Sequence, residues 1–465
     1  MRKSKRIANN ILTLDRFVSY CKGSSFASKK TLACPIHAIS NDSRSTGNGD
    51  VFVALQTESD DGHNYVANAF KQGAIAALVS KSKASSYPAA IRKNLITVSN
   101  PLASLQKAAA LYRKDLPCSM VGITGSSGKT TARNFIASVL KSKLTVGETK
   151  GNWNNHIGVP LSLFRFAGNE DVGVLELGAN HVREIHDLSK IVRPDIAVIT
   201  NIGYAHIGYF GSQANILKTK FEIVDGMKSS GLLVLNGDDA LLVKKAKTAK
   251  LKAVLFGMSE KCDIRATNVA MTKSYHMSFY VDKEKFEIPM PGRHFVYSSL
   301  AAIAIAREFG IGNDTIRDAL SRLEPVSMRG TMQKKAGATF IVDCYNANPS
   351  SMKSGISLLG DVAGDRSKVA IVGDMLELGK FSVKLHAALG TQLAEANIHK
   401  VIAVGEYSSV VARAAKAGGI ASCNIATAAT SKEGIDIAKT FVRKGAVVLL
   451  KGSRGVHLET ILEGL

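Results

Sequence analysis

Along this chain, short unbroken apolar runs alternate with segments whose apolar residues recur at helical spacing. In the first third, residues 50–55 predict a strand. Residues 63–73 follow with helical spacing, Tyr65, Ala69 and Phe70 on one side, and 74–79 reads as a second strand. A polar stretch, 80–87, precedes a helix predicted over 102–112, and Asp115-Leu116-Pro117 marks a boundary. In the middle third, 119–124 predicts a strand running straight into a Gly/Ser turn, and 130–141 has helix composition. The runs 172–177 and 195–202 are continuously apolar, which suits strands buried on both faces of a parallel sheet. Helical patterns alternate with them, most clearly at 297–309. The last third repeats the theme, with strands predicted at 339–344, 368–372, 401–404 and 447–450, after a second break near Pro325. The class predicted is α/β, doubly wound in type, in three units spanning 1–114, 115–325 and 326–465.

Composition is consistent with this. At ~150 residues per domain, 465 residues make about three domains, and 45% hydrophobic with 21% charged residues is globular composition. Sixty Lys and Arg against 38 Asp and Glu give a formal +22, which invites a nucleic-acid reading. The excess is not concentrated, however: it is +9 over 1–112, +7 over 113–325 and +6 over 326–465. The longest basic cluster is Arg2, Lys3, Lys5 and Arg6. A spread excess suits anionic small ligands as well as it suits nucleic acid. No run approaches the ~18 apolar residues of a membrane helix, so no membrane insertion is expected. Segment 7–20 holds Asn9, Asn10, Asp15 and Arg16 where a signal peptide has its apolar core. Six scattered cysteines without a CxxC pair argue against a metal cluster or disulfide framework and point to a reducing cytoplasm.

The strongest chemical signal is 122–131, Gly-Ile-Thr-Gly-Ser-Ser-Gly-Lys-Thr-Thr, between a predicted strand and a predicted helix. Glycines let backbone N–H groups curl around phosphates, and the helix N-terminus adds partial positive charge. Gly125, Ser126, Ser127, Gly128, Lys129, Thr130 and Thr131 are the candidate phosphate-binding residues, Lys129 reaching the outer phosphates and the Thr130 hydroxyl placed for Mg²⁺. Strict G-x₄-G-K-[ST] spacing fails by one residue, because position 123 is Ile. Residues just past the carboxyl ends of strands line the ligand crevice of a doubly wound sheet. Glu176 ends one predicted strand and His206 follows another, so the two are candidates to converge on a nucleotide-bound metal, against the alternative of a solvated Glu and a structural His. Asn236-Gly-Asp-Asp239 is a turn by composition. Asp343, at the end of a predicted strand, is placed for a ribose hydroxyl. Lys451 and Arg454 follow the last strand and offer cations to an anionic group. Lys218 and Lys220 read as ordinary helix lysines.

In their order, these segments resemble the Mur ligase family, from about residue 35 to the end. Ala38–Arg44, Gly49–Leu55 and Asp61-Gly-His63 are similar to its UDP-sugar-binding domain, with Ser43 and Arg44 as candidate contacts. Residues 124–130 match its ATP loop, which uses G-x-x-G-K-[ST] and so accounts for the failed strict spacing. Residues 149–155 (Thr-Lys-Gly-Asn-Trp-Asn-Asn), 176–181, 345–349 and 373–379 match further motifs. The resemblance implies a small mixed α/β N-terminal domain binding UDP-MurNAc, a central P-loop ATPase domain with a mostly parallel sheet, and a C-terminal Rossmann-like domain that binds the incoming dipeptide and closes on ATP. It implies Thr130, Glu176, His206 and Lys220 around the metal, Lys220 as a CO₂-derived carbamate with Lys218 the competing position. Asn236, Asp239, His294, Arg329 and Asp343 are implied for ATP. Asn152, Asn154, Asn155, Asn346, Asn348, Lys451 and Arg454 are implied for the substrates. Lys129, Lys220, His206 and Glu176 carry the catalytic expectation. The family's G-x-H-N-x-x-N stands here as Gly292-Arg-His-Phe295-Val-Tyr-Ser298, both asparagines replaced, so Ser298 is left to hydrogen-bond the adenine and Phe295 to pack against it.

The activity implied is ATP-dependent amide ligation: D-alanyl-D-alanine joined to UDP-N-acetylmuramoyl-tripeptide through an acyl phosphate, by a cytoplasmic monomer using ATP and Mg²⁺. A related amide ligase with another acceptor is the first alternative, and a basic P-loop ATPase acting on nucleic acid the second. The latter would explain +22 but leaves Glu176, His206 and the last third without a role.

Overall fold

A computed structural model describes residues 12–465; the basic cluster at Arg2–Arg6 lies outside them. Most of the chain is organised around three sheets, in chain order.

The first has five strands, ordered Ser24–Ser25, Leu95–Val98, Ala76–Ser80, Val51–Val53 and Ile39–Ser40, parallel except for the first. One element here departs from the helical reading of 63–73. Gly62–Tyr65 is a 3₁₀ turn and the α-helix begins only at Val66. The Asp61 carboxylate accepts the His63 N–H at 3.0 Å and the ring Nδ1 lies 2.6 Å away, while His63 Nε2 accepts the Ser80 N–H at 3.0 Å. These side-chain bonds tighten the turn and swing Tyr65 into solvent, away from Ala69.

The central sheet has seven parallel strands, ordered Ile264–Arg265, Ala253–Gly257, Leu232–Asn236, Ile196–Ile199, Ser119–Thr124, Val172–Glu176 and Val146–Glu148. Val172–Glu176 and Ile196–Ile199 are buried at every position, as continuous apolar runs demand. Helix Lys129–Lys141 covers one face with helix Arg293–Glu308, Phe135 stacking on Phe295 at 6.1 Å between ring centroids. A three-stranded antiparallel sheet, Thr267–Met271, Met277–Val281 and Glu284–Ile288, is attached to this unit; its short polar-interrupted strands gave no clear sequence signal.

The last sheet has six strands, Thr331–Lys335, Ala338–Val342, Val447–Lys451, Lys368–Gly373, Lys400–Val404 and Ile425–Ala428, parallel after the first antiparallel pair. No helix among the described residues is long and apolar enough to cross a membrane.

The helix Pro101–Asp115 is tied to the central sheet by a buried arginine. Arg113, 4% exposed, donates to Val192 O at 2.8 Å and Leu116 O at 3.1 Å and reaches Asp195 at 3.3 Å. Removing it orphans two buried carbonyls, whereas Asp195 keeps Lys228 and the Met120 N–H. Arg113→Ala should therefore cost about 2–3 kcal/mol, read as a lower denaturation midpoint; an unchanged midpoint would show that water replaces the guanidinium.

Candidate active site

The central sheet reverses its winding beside Ser119–Thr124, which has Val172–Glu176 on one side and Ile196–Ile199 on the other. Such a reversal opens a crevice beyond the carboxyl ends of the strands. All three segments that follow or end these strands meet there: the glycine loop 125–128, Glu176, and Thr200–Asn201. A cavity of about 1100 Å³ fills the crevice and extends to the last domain.

The glycine loop is clamped from the neighbouring strand. Asn201 Oδ1 accepts the Ser127 N–H at 3.0 Å and its Nδ2 donates to Ser127 Oγ at 2.9 Å, while the Thr200 hydroxyl donates to Ser127 O at 2.6 Å. Gly125, at φ +146°, packs so tightly on this strand that a Cβ would sit 2.0 Å from Thr200 Oγ1. Lys129 starts the helix and its Nζ donates to Gly125 O at 2.8 Å. Burial lowers the Lys129 pKa, the Glu176 charge opposing this and Arg329 adding to it. Thr200 and Asn201 had no part in the motif reading. Their signal was their place after a buried strand, next to the glycine loop.

Glu176 is 2% exposed and joins two loops. Its carboxylate accepts from the Thr130 hydroxyl at 2.9 Å and from Asn154 Nδ2 at 2.8 Å. Its own N–H donates to Thr149 Oγ1 at 2.9 Å. The loop carrying Asn154 is held from behind by Arg133, on the helix that Lys129 opens, which donates to Thr149 O at 2.9 Å and Gly151 O at 2.7 Å. Asn152 and Asn155 also line the cavity, and Asn155 Oδ1 accepts the N–H groups of Ile157 and Gly158.

From the last domain, Arg329 crosses to Thr130, donating to its hydroxyl at 3.3 Å, with its guanidinium 4.2 Å from the Tyr345 ring centre. Asp343 and Lys451 form an ion pair of 2.6 Å, and Lys451 is 1% exposed. Asn346 and Asn348 line the cavity, but the Asn348 side chain caps helix Pro349–Ala363 through the Ser351 N–H. Asn236, Asp239 and His294 also line the cavity. The Asp239 carboxylate accepts from Ile202, Leu241 and Leu242 N–H groups, so it holds the wall together. Burial pushes the His294 pKa down to about 4, which keeps the ring neutral. Phe295 and Ser298 both reach the cavity, Phe295 with its other side on Phe135.

The structure separates the two candidate lysines. Lys218 is exposed. Lys220 is 1% exposed, with Nζ 3.5 Å from Ala179 O and 5.5 Å from the Phe210 ring centre. Burial, with the Lys129 charge adding, lowers its pKa to about 7.

Five expected residues do not line the cavity: Gly125 and Lys220 are buried behind it, and Ser43, Arg44 and Arg454 stand apart. Ser43 and Arg44 lie in the N-terminal domain, Arg44 paired with Asp42 at 2.8 Å and Ser43 accepting from Asn68. Arg454 pairs with Glu459 at 2.5 Å.

No cluster of three His, Cys, Asp or Glu among the described residues makes a self-sufficient metal site. The residues present nevertheless fit Mg²⁺ held jointly with a nucleotide, since that ion prefers one or two protein oxygens plus phosphate. Glu176 and the Thr130 hydroxyl supply them, His206 lines the same cavity, and the buried Ser126 Oγ has no protein partner.

Known proteins resemble this chain over nearly its whole length. Residues 35–113 match the Mur ligase family catalytic domain, 123–306 the Mur ligase middle domain and 328–454 the Mur ligase glutamate ligase domain. The chain is 34% identical over 445 residues to the UDP-N-acetylmuramoyl-tripeptide–D-alanyl-D-alanine ligase of Bacillus subtilis, covering 94% of this chain and 96% of that one. The chain belongs to the Mur ligase family. The Escherichia coli ligase of the same name is 32% identical over 437 residues, 92% of this chain and 94% of its own. Among solved structures, MurF from Acinetobacter baumannii superposes with a TM-score of 0.86 at 29% identity over 98% of this chain and 99% of its own. MurF ligase from Thermotoga maritima in complex with ADP gives 0.79 at 29% over 92% and 96%. The chain is therefore an ATP-dependent ligase forming C–N bonds.

Gly125→Ala tests the clamp. The added methyl meets Thr200 at a backbone angle L-residues avoid, so ADP affinity measured by calorimetry should fall at least about tenfold. An unchanged affinity would mean that the loop does not need its close seat on Thr200.

Proposed function

We propose that this enzyme joins D-alanyl-D-alanine to UDP-N-acetylmuramoyl-tripeptide with ATP, giving the pentapeptide, ADP and phosphate. One observation carries the reading. A single cavity between the central and last domains gathers the phosphate loop, the Glu176–Asn154 junction and the cations Arg329 and Lys451. It has room for a nucleotide triphosphate beside a peptide end, and its near full-length relatives bear this activity in their names.

The chemistry follows from the need to activate a carboxylate. An amine cannot displace oxide, so the terminal carboxylate of the tripeptide first attacks the γ-phosphorus of ATP, and the resulting acyl phosphate offers phosphate as the leaving group. Lys129 exchanges Gly125 O for the transferring phosphoryl group, and Arg329 approaches it from the other domain. Bound Mg²⁺ supplies charge neutralisation on the phosphate oxygens. The amine of the dipeptide then attacks the acyl carbon while Asn346 and Lys451 border its place. Because groups from two domains face one another, seating of the last domain brings the reactants together.

Lys220 is the residue we assign to carbamylation. An amine with a pKa near 7 is substantially neutral at physiological pH, which attack on CO₂ requires, and the product would place an anion beside Lys129. Ser43 and Arg44 are assigned to the UDP end of the substrate, and His294, Phe295 and Ser298 to the base. The protein is proposed to act in the cytoplasm as a monomer, in three domains that divide near 114 and 325.

Two assays test this. Phosphate release from ATP should require UDP-N-acetylmuramoyl-tripeptide and D-alanyl-D-alanine together, and Lys129→Ala should lose at least about 10³-fold in kcat with its folded spectrum intact; full activity in that variant refutes the loop assignment. Exhaustive removal of CO₂ should depress ligation and added bicarbonate restore it in the wild type but not in Lys220→Gln; insensitivity to CO₂ refutes the carbamate.

A further inference from the structure

His206 touches the last domain as well as the cavity. It sits at φ +58°, ahead of the short helix Ile207–Phe210, and its Nδ1 meets the carboxylate of Glu377. Glu377 belongs to the 373–379 loop and is itself at φ +63°. Backbone seals the same contact: the Gly208 N–H donates to Glu377 O at 3.0 Å, and a Cβ on Gly208 would lie 2.7 Å from both Glu377 O and Gly379 N.

The loop is braced from within its own domain. Asp374 accepts the N–H groups of Glu406 and Tyr407 at 2.7 and 3.1 Å. Met375 N–H donates to His386 Nε2, and Leu376 N–H to Ser453 Oγ, both at 3.0 Å. A rigid arm thus carries one carboxylate across the domain boundary onto one imidazole.

A metal-binding histidine usually donates its second N–H to a carboxylate, which fixes the ring and its tautomer. Here that carboxylate comes from another domain. We propose that Glu377 is a positioning residue for His206: its carboxylate holds the Nδ1 side of the ring in place, leaves Nε2 as the free nitrogen for the nucleotide's metal, and so completes the metal set only when the last domain is seated. This rests on the reading of His206 as a metal ligand. Its consequence is that ATP is kept from productive metal binding until the domain that receives the dipeptide has arrived.

Mn²⁺ in place of Mg²⁺ gives a direct readout, because its binding to the ADP-loaded enzyme is measurable by electron paramagnetic resonance. Glu377→Ala should weaken Mn²⁺ binding about 10–100-fold and lower kcat by a similar factor. Glu377→Gln, which keeps an acceptor oxygen, should recover most of both. Gly208→Ala leaves every polar atom in place and suits a helix, yet wedges the two domains apart; it should reproduce the Mn²⁺ loss. His206→Ala is the control. If it weakens Mn²⁺ binding while Glu377→Ala and Gly208→Ala do not, the positioning role is wrong and the metal reading stands. If His206→Ala has no effect on Mn²⁺, the metal reading fails and the proposal with it. A fall in kcat for Glu377→Ala at unchanged Mn²⁺ affinity overturns the proposal in favour of direct contact with a substrate.

Discussion

Glu176 is the constraint on which the central domain depends. A carboxylate that is 2% exposed survives only if its oxygens are bonded, since an unpaired buried charge costs several kcal/mol. Here the partners are Thr130, from the nucleotide loop, and Asn154, from the asparagine loop. Both loops must reach the end of one strand at once, and that fixes their separation. The rest of the domain serves this meeting: Arg133 braces one loop, Thr200 and Asn201 brace the other, and the buried strands on either side hold the three strand ends level.

The same carboxylate links the nucleotide loop to the last domain. Thr130 already bonds Glu176 and receives Arg329 from the last domain. Glu176 and the Thr130 hydroxyl would hold a divalent ion brought by a nucleotide, and the ion would supply the positive charge that the hydroxyl proton gives Glu176 here.

Much of this was legible in the sequence. The strand Ser119–Thr124 coincides with its apolar run, because a strand buried on both faces tolerates nothing else. The glycine loop, Glu176 and His206 were readable because strand ends in such sheets face one crevice. What escaped notice did so for physical reasons. Thr200 and Asn201 are short polar residues whose role lies in whom they touch. Gly62–Tyr65 forms a tight turn where helical periodicity was expected, because Asp61 competes for the backbone N–H groups. The choice between Lys218 and Lys220 could not be made from spacing, since two residues apart on a helix means nearly opposite faces and only packing says which face is buried. The His206–Glu377 contact joins residues 171 positions apart and has no local signature.

The formal charge of +22 invites the thought that the site is strongly cationic, and the cavity says otherwise. Its charged walls are Lys129, Arg329, Lys353 and Lys451 against Glu176, Glu184, Asp238, Asp239 and Asp343. Four cations against five carboxylates leave the cavity walls short of the positive charge needed to neutralise a triphosphate, a deficit that a metal ion entering with the nucleotide would meet. The excess of lysine and arginine lies elsewhere, on surfaces where charges beyond ~8–10 Å are screened at physiological salt. It can raise the encounter rate with anionic substrates at low ionic strength, but it has no part in the catalytic step, which is governed by groups that salt does not reach.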